Sequence, residues 1–469
     1  MKAIFENSVN VNNIIFDTDS YKYSHAQQYP DNTETVFSYI EPRKAWDGYD
    51  SVVFFGLQIE LAKLSGQVVF QKDLDEAKPF LQMHGFNMFV EGWQYIIDKH
   101  NGRLPIQIDA LDEGTLAPVS IPQVRIFNTD PKCWWLPSFL ETRLLRAVWY
   151  PSTVTSLSYN VVKSIREKLI LTDGSDEGYQ FKLHDFGARG ASSQESAAIG
   201  GLAHLVNSLG TDTMMANVYA RNFYGEEMAG FSIPATEHST VTATGEEGEL
   251  EFMRRLLNQY PTGLVACVSD SYDLMRAVNQ YWGKDLRDKV LERDGVLIVR
   301  PDSGDPIEIV PEVIESLMVN FGFDYTKNGY KLLNSKVRVI QGDGVDRYSI
   351  EKIMEKMIER KLSIGNIAFG MGGGLLQKVN RDNFSYSMKT SALCRDGVWY
   401  DVFKDPITAK GSKTSKKGRV GVMKTDSSQF VFRRMENIPK GAEALNTVFK
   451  DGEIIKIHSL KEARARLWG

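Results

Sequence analysis

Apolar positions in the second half of the chain fall into short runs that stop abruptly at glycine, aspartate or arginine. Four segments share this form: Phe181-Lys-Leu-His-Asp-Phe-Gly-Ala-Arg189, Val296-Leu-Ile-Val-Arg-Pro-Asp-Ser-Gly304, Val337-Arg-Val-Ile-Gln-Gly-Asp-Gly344 and Ile367-Ala-Phe-Gly-Met-Gly-Gly-Gly374. Each run fits a buried parallel strand, and each Gly/Asp/Arg cluster fits the loop at its C-terminal end, where α/β enzymes place their chemistry. Glycines mixed with arginines and carboxylates describe a pocket for a phosphorylated sugar.

Helical periodicity separates the runs. Tyr179, Phe181 and Leu183 alternate as in a strand, and Ser192-Ser-Gln-Glu195 has the form of a capping box. Ala197, Ile199, Leu202, Leu205 and Val206 continue as a helical stripe, with Gly210 as the expected stop. The pattern predicts a strand at Leu264–Val268 with a helix from about Ser271 to Trp282 closed by Gly283. It predicts Val296–Val299 with a helix near Val310–Phe321 closed by Gly322, then Val337–Ile340 with a helix near Tyr348–Lys361. Ile367–Phe369 leads into Leu375–Val379. With less regular units at 211–224 and 231–260, the string approaches a β/α barrel. A doubly wound open sheet gives a similar string.

The flanks differ. Thr35–Ile40, Val52–Phe55 and the Pro-punctuated Leu104–Gly114 read as strands, as do Gly397–Phe403 and Phe430–Phe432 near the other end. The fold class read from this is α/β: an irregular β/α barrel over about residues 151–390, with a second β-rich domain formed from both chain ends, about 1–150 and 391–469.

The 469 residues exceed one ordinary domain, and 42% hydrophobic with 25% charged residues is the balance of a globular protein. A net charge of −5 gives no support to nucleic-acid or membrane-surface binding. No apolar stretch is long enough to span a bilayer, and Met1-Lys-Ala-Ile-Phe-Glu lacks a signal-peptide core. Cys133, Cys267 and Cys394 are far apart and lack metal-ligand spacing, so a reducing cytoplasm is the expectation.

Each chemistry-bearing residue has a plain structural alternative. Arg189, before a capped helix, suits one phosphate or a structural ion pair. Arg300-Pro301-Asp302 puts a cation and a carboxylate after a buried strand, costly without a ligand or each other. Asp343, between Gly342 and Gly344, suits ribose hydroxyls or an ordinary turn. Gly372-Gly373-Gly374 before a short helix is an anion-nest signal, and it is not a Walker loop, since no Gly-Lys-Ser/Thr follows. His238 stands in a polar cluster where Glu237, Ser239 and Thr240 could set its tautomer. Asp270 and Asp273 sit where a strand turns into a helix, and capping explains one of them. The basic stretch from Lys404 to Arg419 is either solvated or a lid for a polyphosphate.

The chain resembles the nicotinamide phosphoribosyltransferase family nearly end to end. The motifs carrying this are Asp17-Thr-Asp-Ser-Tyr-Lys22, Asn128-Thr-Asp-Pro131, Lys182-Leu-His-Asp-Phe-Gly187, Gly210-Thr-Asp-Thr213, Glu237-His-Ser-Thr240 and Val268-Ser-Asp-Ser-Tyr-Asp273. Arg300-Pro-Asp-Ser-Gly304, Gln341-Gly-Asp-Gly-Val-Asp346, Gly372-Gly-Gly-Leu-Leu-Gln-Lys378 and Val402-Phe-Lys-Asp-Pro406 complete the series. The resemblance implies an irregular β/α barrel packed on a β-rich domain, in a cytoplasmic homodimer with shared active sites. Its substrates would be nicotinamide and phosphoribosyl pyrophosphate, with Mg²⁺ on unidentified ligands and ATP as co-substrate. Phe186 and the partner's Tyr21 would sandwich the pyridine ring, and Asp212 would accept from the carboxamide. Arg189 and Arg300 would hold the pyrophosphate and pyridine region, Asp302, Gly342 and Asp343 the ribose or its metal, and Gly372, Gly373 and Arg381 the 5'-phosphate. Pro301 and Asp270 belong to the same substrate-binding set, and His238 would be the residue transiently phosphorylated by ATP. Lys389, Lys404, Lys413 and the partner's Arg43 would touch phosphates. Two departures, Ala188 where the family has an aromatic and Met371 where it has a small polar residue, remove no charge.

The chemistry agrees with the residues. Displacing pyrophosphate from ribose C1 needs cations around the leaving group, carboxylates near the sugar and a clamp on the ring. Pyridine nitrogen is already nucleophilic, so no general base is required. A nicotinate-specific enzyme is opposed by Asp212, which would repel the acid. A non-catalytic scaffold predicts degraded loops, yet Arg189, His238, Arg300, Asp302 and Asp343 are present. An unrelated sugar-phosphate barrel leaves Gly210–Thr213 and Glu237–Thr240 unexplained.

Overall fold

Hydrogen bonding gathers most strands into one large antiparallel and one large parallel sheet, one in each of two compact units, with three two-stranded sheets besides. A computed structural model describes residues 8–405 and 415–469. The first unit gathers residues 1–156, 223–225 and 380–469; the second holds 157–222 and 226–379. The division falls within the helix Glu141–Asp173, which contains Pro151.

In the first unit seven strands pair in the order Val398–Asp401, Ser387–Arg395, Thr33–Glu41, Val124–Asn128, Ile106–Ala110, Asn446–Lys450 and Glu453–Ile454. The Thr33–Glu41 strand joins the two ends of the chain, with Tyr39 opposite Lys389 and Ile40 opposite Met388. Both of its faces are covered. Ile40 enters a core with Ile106, Val124, Trp93 and Phe139, while Phe37 and Tyr39 pack with Ala392 and Val420. Three helices, Leu57–Leu64, Gln71–Met83 and Val90–His100, also belong to this unit.

In the second unit six strands run parallel in the order Gly210–Thr211, Leu183–Asp185, Ile367–Met371, Val337–Gln341, Asp294–Arg300 and Thr262–Val268. The segment 231–236 links the two outer strands. Phe231 bridges Gly210 and Ala235 bridges Ala266, so single parallel bridges close the ring where no full strand pairs. This is the irregular barrel expected from the sequence.

Local rules account for several elements. Asp305 caps the helix Pro306–Phe321 by accepting Ile307 N–H at 3.0 Å, Pro306 opens it, and Gly322 at φ +83° ends it. Other boundaries depart from expectation. Tyr179–Phe181 forms a 3₁₀ turn, leaving only Leu183–Asp185 extended. Ser193, not Ser192, caps Gln194–His204, its hydroxyl accepting Ser196 N–H at 3.0 Å. That helix ends at His204. Gly210 instead begins a strand, and a Cβ there would stand 2.5 Å from His184 Nδ1. Gly283 is no stop either: π-helical turns run from Ala277 to Asp285, and Gly283 makes room for Asn320, 2.5 Å from its missing Cβ. No helix among the described residues is long and apolar enough to cross a membrane.

Candidate active site

The C-terminal ends of the parallel strands bring together most of the candidate residues of the second unit. Phe186 follows the strand Leu183–Asp185, and its N–H donates to Met371 O at 3.0 Å. Its ring occupies space that only glycine leaves open. A Cβ at Gly370 would stand 2.0 Å from the ring, and one at Gly342 would stand 3.3 Å away. The Gly342 Cβ position is also 3.6 Å from Asp302 Oδ1, so the ring, the Gln341–Gly344 turn and the Asp302 carboxylate converge.

Asp302 organises the charged side of this seat. Its Oδ2 accepts from Arg300 at 3.0 Å and faces His238 Nε2 at 3.3 Å. The cation and carboxylate at the end of this strand therefore hold each other, one of the two arrangements that their cost apart left open. Asp302 adopts φ +58°, a left-handed conformation that costs a non-glycine residue about 1 kcal/mol. Arg300, His238 and the neighbouring turn keep it there.

His238 opens the short helix Ser239 continues, 238–242, which Thr236 ties to the barrel by donating its N–H to Ala266 O at 3.0 Å. The polar partners of its ring are not Glu237, Ser239 or Thr240; Glu237 accepts from the Ser239 hydroxyl instead. Nδ1 lies 3.3 Å from Ser271 Oγ, and Nε2 lies 3.7 Å from Asp270 Oδ1 as well as beside Asp302. Carboxylates only accept, so in the neutral ring they place the proton on Nε2 and leave the Nδ1 lone pair toward Ser271.

Asp270 is almost fully buried, and its Oδ1 has no hydrogen-bond partner. Burial raises its carboxyl above the usual range, with the Asp302 charge acting the same way against His238. An orphaned carboxylate oxygen beside a second carboxylate is the hard-donor chemistry a magnesium ion takes. Asp273, by contrast, caps the following helix, its carboxylate accepting Arg276 N–H at 2.9 Å.

Asp212 is exposed after the strand Gly210–Thr211 and accepts from the Ser232 hydroxyl. Arg189 is exposed on the turn Ala188–Gly190. That turn approaches the glycine loop: the missing Gly190 Cβ lies 3.5 Å from Gly373 Cα, and Gln377 Oε1 accepts Ser192 N–H at 2.9 Å. Gly373 itself faces open space, and Asp343 is exposed on its turn. Pro301 separates Arg300 from Asp302 and is buried.

The remaining candidates lie in the first unit. Tyr21 is 55% exposed, on the 3₁₀ helix Ser20–Gln27. Arg43 donates to Ser385 O at 3.3 Å, and Arg381 pairs with Asp382 at 3.1 Å. Lys389 is half-buried. Burial holds its ammonium below the usual range, and the positive charges of Arg43, Lys404 and Lys22 add to this against Glu141. Lys413 lies outside the described residues.

Sequence reasoning named no role for Ser271, Ser232 or Asp185. Ser271 and Asp185 stood inside quoted motifs, but only the strand order brings them beside His238 and Asp212.

A parallel barrel sheet with an aromatic ring seated on glycines, a glycine loop and paired carboxylates at its strand ends is the arrangement of a phosphoribosyltransferase of the barrel type. The family model "Nicotinate phosphoribosyltransferase (NAPRTase) family" matches residues 181–453, and "Nicotinamide phosphoribosyltransferase, N-terminal domain" matches 13–108. A nicotinamide phosphoribosyltransferase of Xanthomonas campestris pv. campestris is 44% identical over 97% of this chain and 98% of its own length. One of Acinetobacter baylyi is 32% identical over 96% of each. Among solved structures, a Pyrococcus furiosus nicotinate-nucleotide pyrophosphorylase aligns at TM-score 0.60 with 14% identity, covering 98% of this chain and 96% of that one. Human nicotinic acid phosphoribosyltransferase aligns at 0.56 with 16% identity, covering 96% and 93%. These two likenesses concern the fold alone. The chain belongs with the nicotinamide phosphoribosyltransferases of the NAPRTase family.

Proposed function

We propose that this protein transfers the phosphoribosyl group of 5-phosphoribosyl 1-pyrophosphate to nicotinamide, giving nicotinamide mononucleotide and pyrophosphate in NAD salvage. The observation that carries this reading is the Phe186 ring laid across Gly370 and Gly342, with Asp302 Oδ1 3.6 Å from the same Gly342 Cβ position. A flat ring stacked there presents its nitrogen toward a ribose held by Asp302 and Asp343. The pyridine nitrogen attacks C1 as the C1–pyrophosphate bond breaks, and Arg189 and Arg300 neutralise the departing charge. Gly372 and Gly373 take the 5'-phosphate, and the family resemblance adds Arg381 as its cation. Asp270 and Asp302 would hold Mg²⁺, which supplies charge neutralisation on the phosphates when bound.

ATP enters through His238. An imidazole lone pair attacks the γ-phosphorus, ADP leaves, and water later returns the phosphate from the nitrogen. Arg43, Lys389 and Lys404 of one subunit form a cationic group that suits the polyphosphate. A cytoplasmic homodimer, in which Tyr21 of the partner subunit closes the ring seat, fits the exposure of this tyrosine.

Purified protein with phosphoribosyl pyrophosphate, Mg²⁺ and either base tests the reading. Nicotinamide should be strongly preferred, because Asp212 accepts from an amide and repels an acid. A charge-assisted hydrogen bond is worth about 1.5–3 kcal/mol, so Asp212→Ala should weaken nicotinamide use about tenfold or more. Equal use of both bases by the wild type would overturn it.

A further inference from the structure

Behind the ring seat lies a carboxyl group that the proposed reaction does not use. Asp185 ends the strand Leu183–Asp185 and is fully buried. Its Oδ1 accepts Gly187 N–H at 2.7 Å, and its Oδ2 accepts the Thr211 hydroxyl at 3.3 Å. Its carbonyl accepts Asp212 N–H at 2.9 Å, and Thr211 Oγ1 in turn accepts Thr213 N–H at 3.0 Å. The helix Gln194–His204 leaves it room at Gly201, where a Cβ would stand 2.9 Å from Oδ2.

Asp185 therefore ties Gly187, beside Phe186, to the turn that carries Asp212. Both oxygens receive donors, an arrangement that favours the ionised form. Burial and the Asp212 charge oppose that form and raise the carboxyl above its usual range. An asparagine would avoid the cost of a buried charge, but it keeps one acceptor for Gly187 N–H and turns a donor toward Thr211, whose hydroxyl must then find another acceptor.

We propose that Asp185 sets the base specificity of this site: it fixes Phe186 and Asp212 in one frame and places a second negative charge behind Asp212 that an anionic ring substituent must face. The inference rests on the nicotinamide reading above.

Asp185→Asn tests it. The asparagine Oδ1 accepts Gly187 N–H, and its amide donates to Thr211 Oγ1, so shape is kept and charge removed. kcat/KM is measured for nicotinamide and nicotinate, with KM for phosphoribosyl pyrophosphate and a thermal melt. The nicotinate-to-nicotinamide ratio should rise about tenfold, the scale of one like-charge interaction at partly screened range. KM for phosphoribosyl pyrophosphate should stay within about twofold of wild type. An unchanged ratio in a folded variant overturns the proposal, as does an equal shift for both substrates. If Asp185→Asn fails to fold, Thr211→Val removes one donor to the same carboxylate. It should raise KM for nicotinamide several-fold and leave that for phosphoribosyl pyrophosphate unchanged; no such shift overturns the proposal. Wild-type protein inert with both bases overturns the nicotinamide reading together with this one, whereas an active wild type with an unresponsive ratio overturns this one alone.

Discussion

His238 Nε2 and Asp302 Oδ2 lie 3.3 Å apart, and that oxygen also accepts from Arg300 at 3.0 Å. One carboxylate oxygen therefore links the proposed phosphoryl acceptor to the strand end that carries the proposed ribose-binding residues. Its strained backbone puts the link at a place where local conformational preference is overruled by the surroundings. A change in the charge on His238 is felt directly at Asp302. Under the proposed ATP reading, this contact is a short physical path from phosphoryl transfer to the proposed ribose site.

The first prediction follows from that path. His238→Ala should abolish ATP hydrolysis and every ATP-dependent gain in synthesis, while some ATP-independent transfer survives because pyridine attack needs no base. Incubation with γ-labelled ATP should give wild-type protein an acid-labile, alkali-stable label. Label retained by the alanine variant would sink the assignment.

Gly370 carries the second. Its Cβ would stand 2.0 Å from the Phe186 ring, too close for any adjustment short of moving the ring. Gly370→Ala should raise KM for nicotinamide about tenfold or more and lower stability by about 1–3 kcal/mol, the usual cost of overpacking. Adding Phe186→Ala removes the obstacle, so the double variant should regain melting temperature over Gly370→Ala without regaining activity. Normal nicotinamide KM in Gly370→Ala would show that the ring is not placed by this glycine.

How far the sequence carried is clear from these residues. The runs ending at Arg300, Gln341 and Met371 were legible because apolar strands stop at polar or glycine residues, and Asp305, Pro306 and Gly322 mark their helix by local rules. The segment 231–236 was not, since it is held by isolated bridges and has no strand pattern. Gly210 and Gly283 misled for a shared reason: each is glycine because a neighbour approaches closely, which looks in sequence like a helix stop. Arg300 and Asp302 could be paired by their spacing. The contacts of His238 with Ser271, Asp270 and Asp302 depend on which strands lie side by side, and no local pattern encodes that.

The proposed sharing of the site between subunits supplies the third prediction. Tyr21→Ala and Asp302→Ala proteins should each be nearly inactive. Mixed under conditions that exchange subunits, they should recover part of the wild-type rate, because one site of each heterodimer carries neither change. Exchange proven by mass or by tag, with no recovered activity, would count against Tyr21 serving the partner's site.

The fourth concerns His204, which lies deep in the second unit with Nδ1 2.8 Å from Ser158 Oγ and Nε2 3.2 Å from Gly210 O. The carbonyl can only accept, so Nε2 carries the proton and Nδ1 accepts from Ser158. Burial pulls this imidazole down to about 4, against an ordinary 6.5. Between those values the unfolded chain binds a proton that the folded chain does not, so stability rises with pH across this window. The contribution is complete above about 6.5 and lost as pH falls toward 4, a change of about 3 kcal/mol. Denaturant titrations of wild type and His204→Gln at half-unit steps from pH 7 to 4 isolate it, since other titrating groups cancel in the difference. The variant should be less stable at pH 7 and its curve flatter by about one proton through the window. Parallel curves would mean that His204 is already charged in the folded protein, or that Ser158 turns to accept from it at little cost.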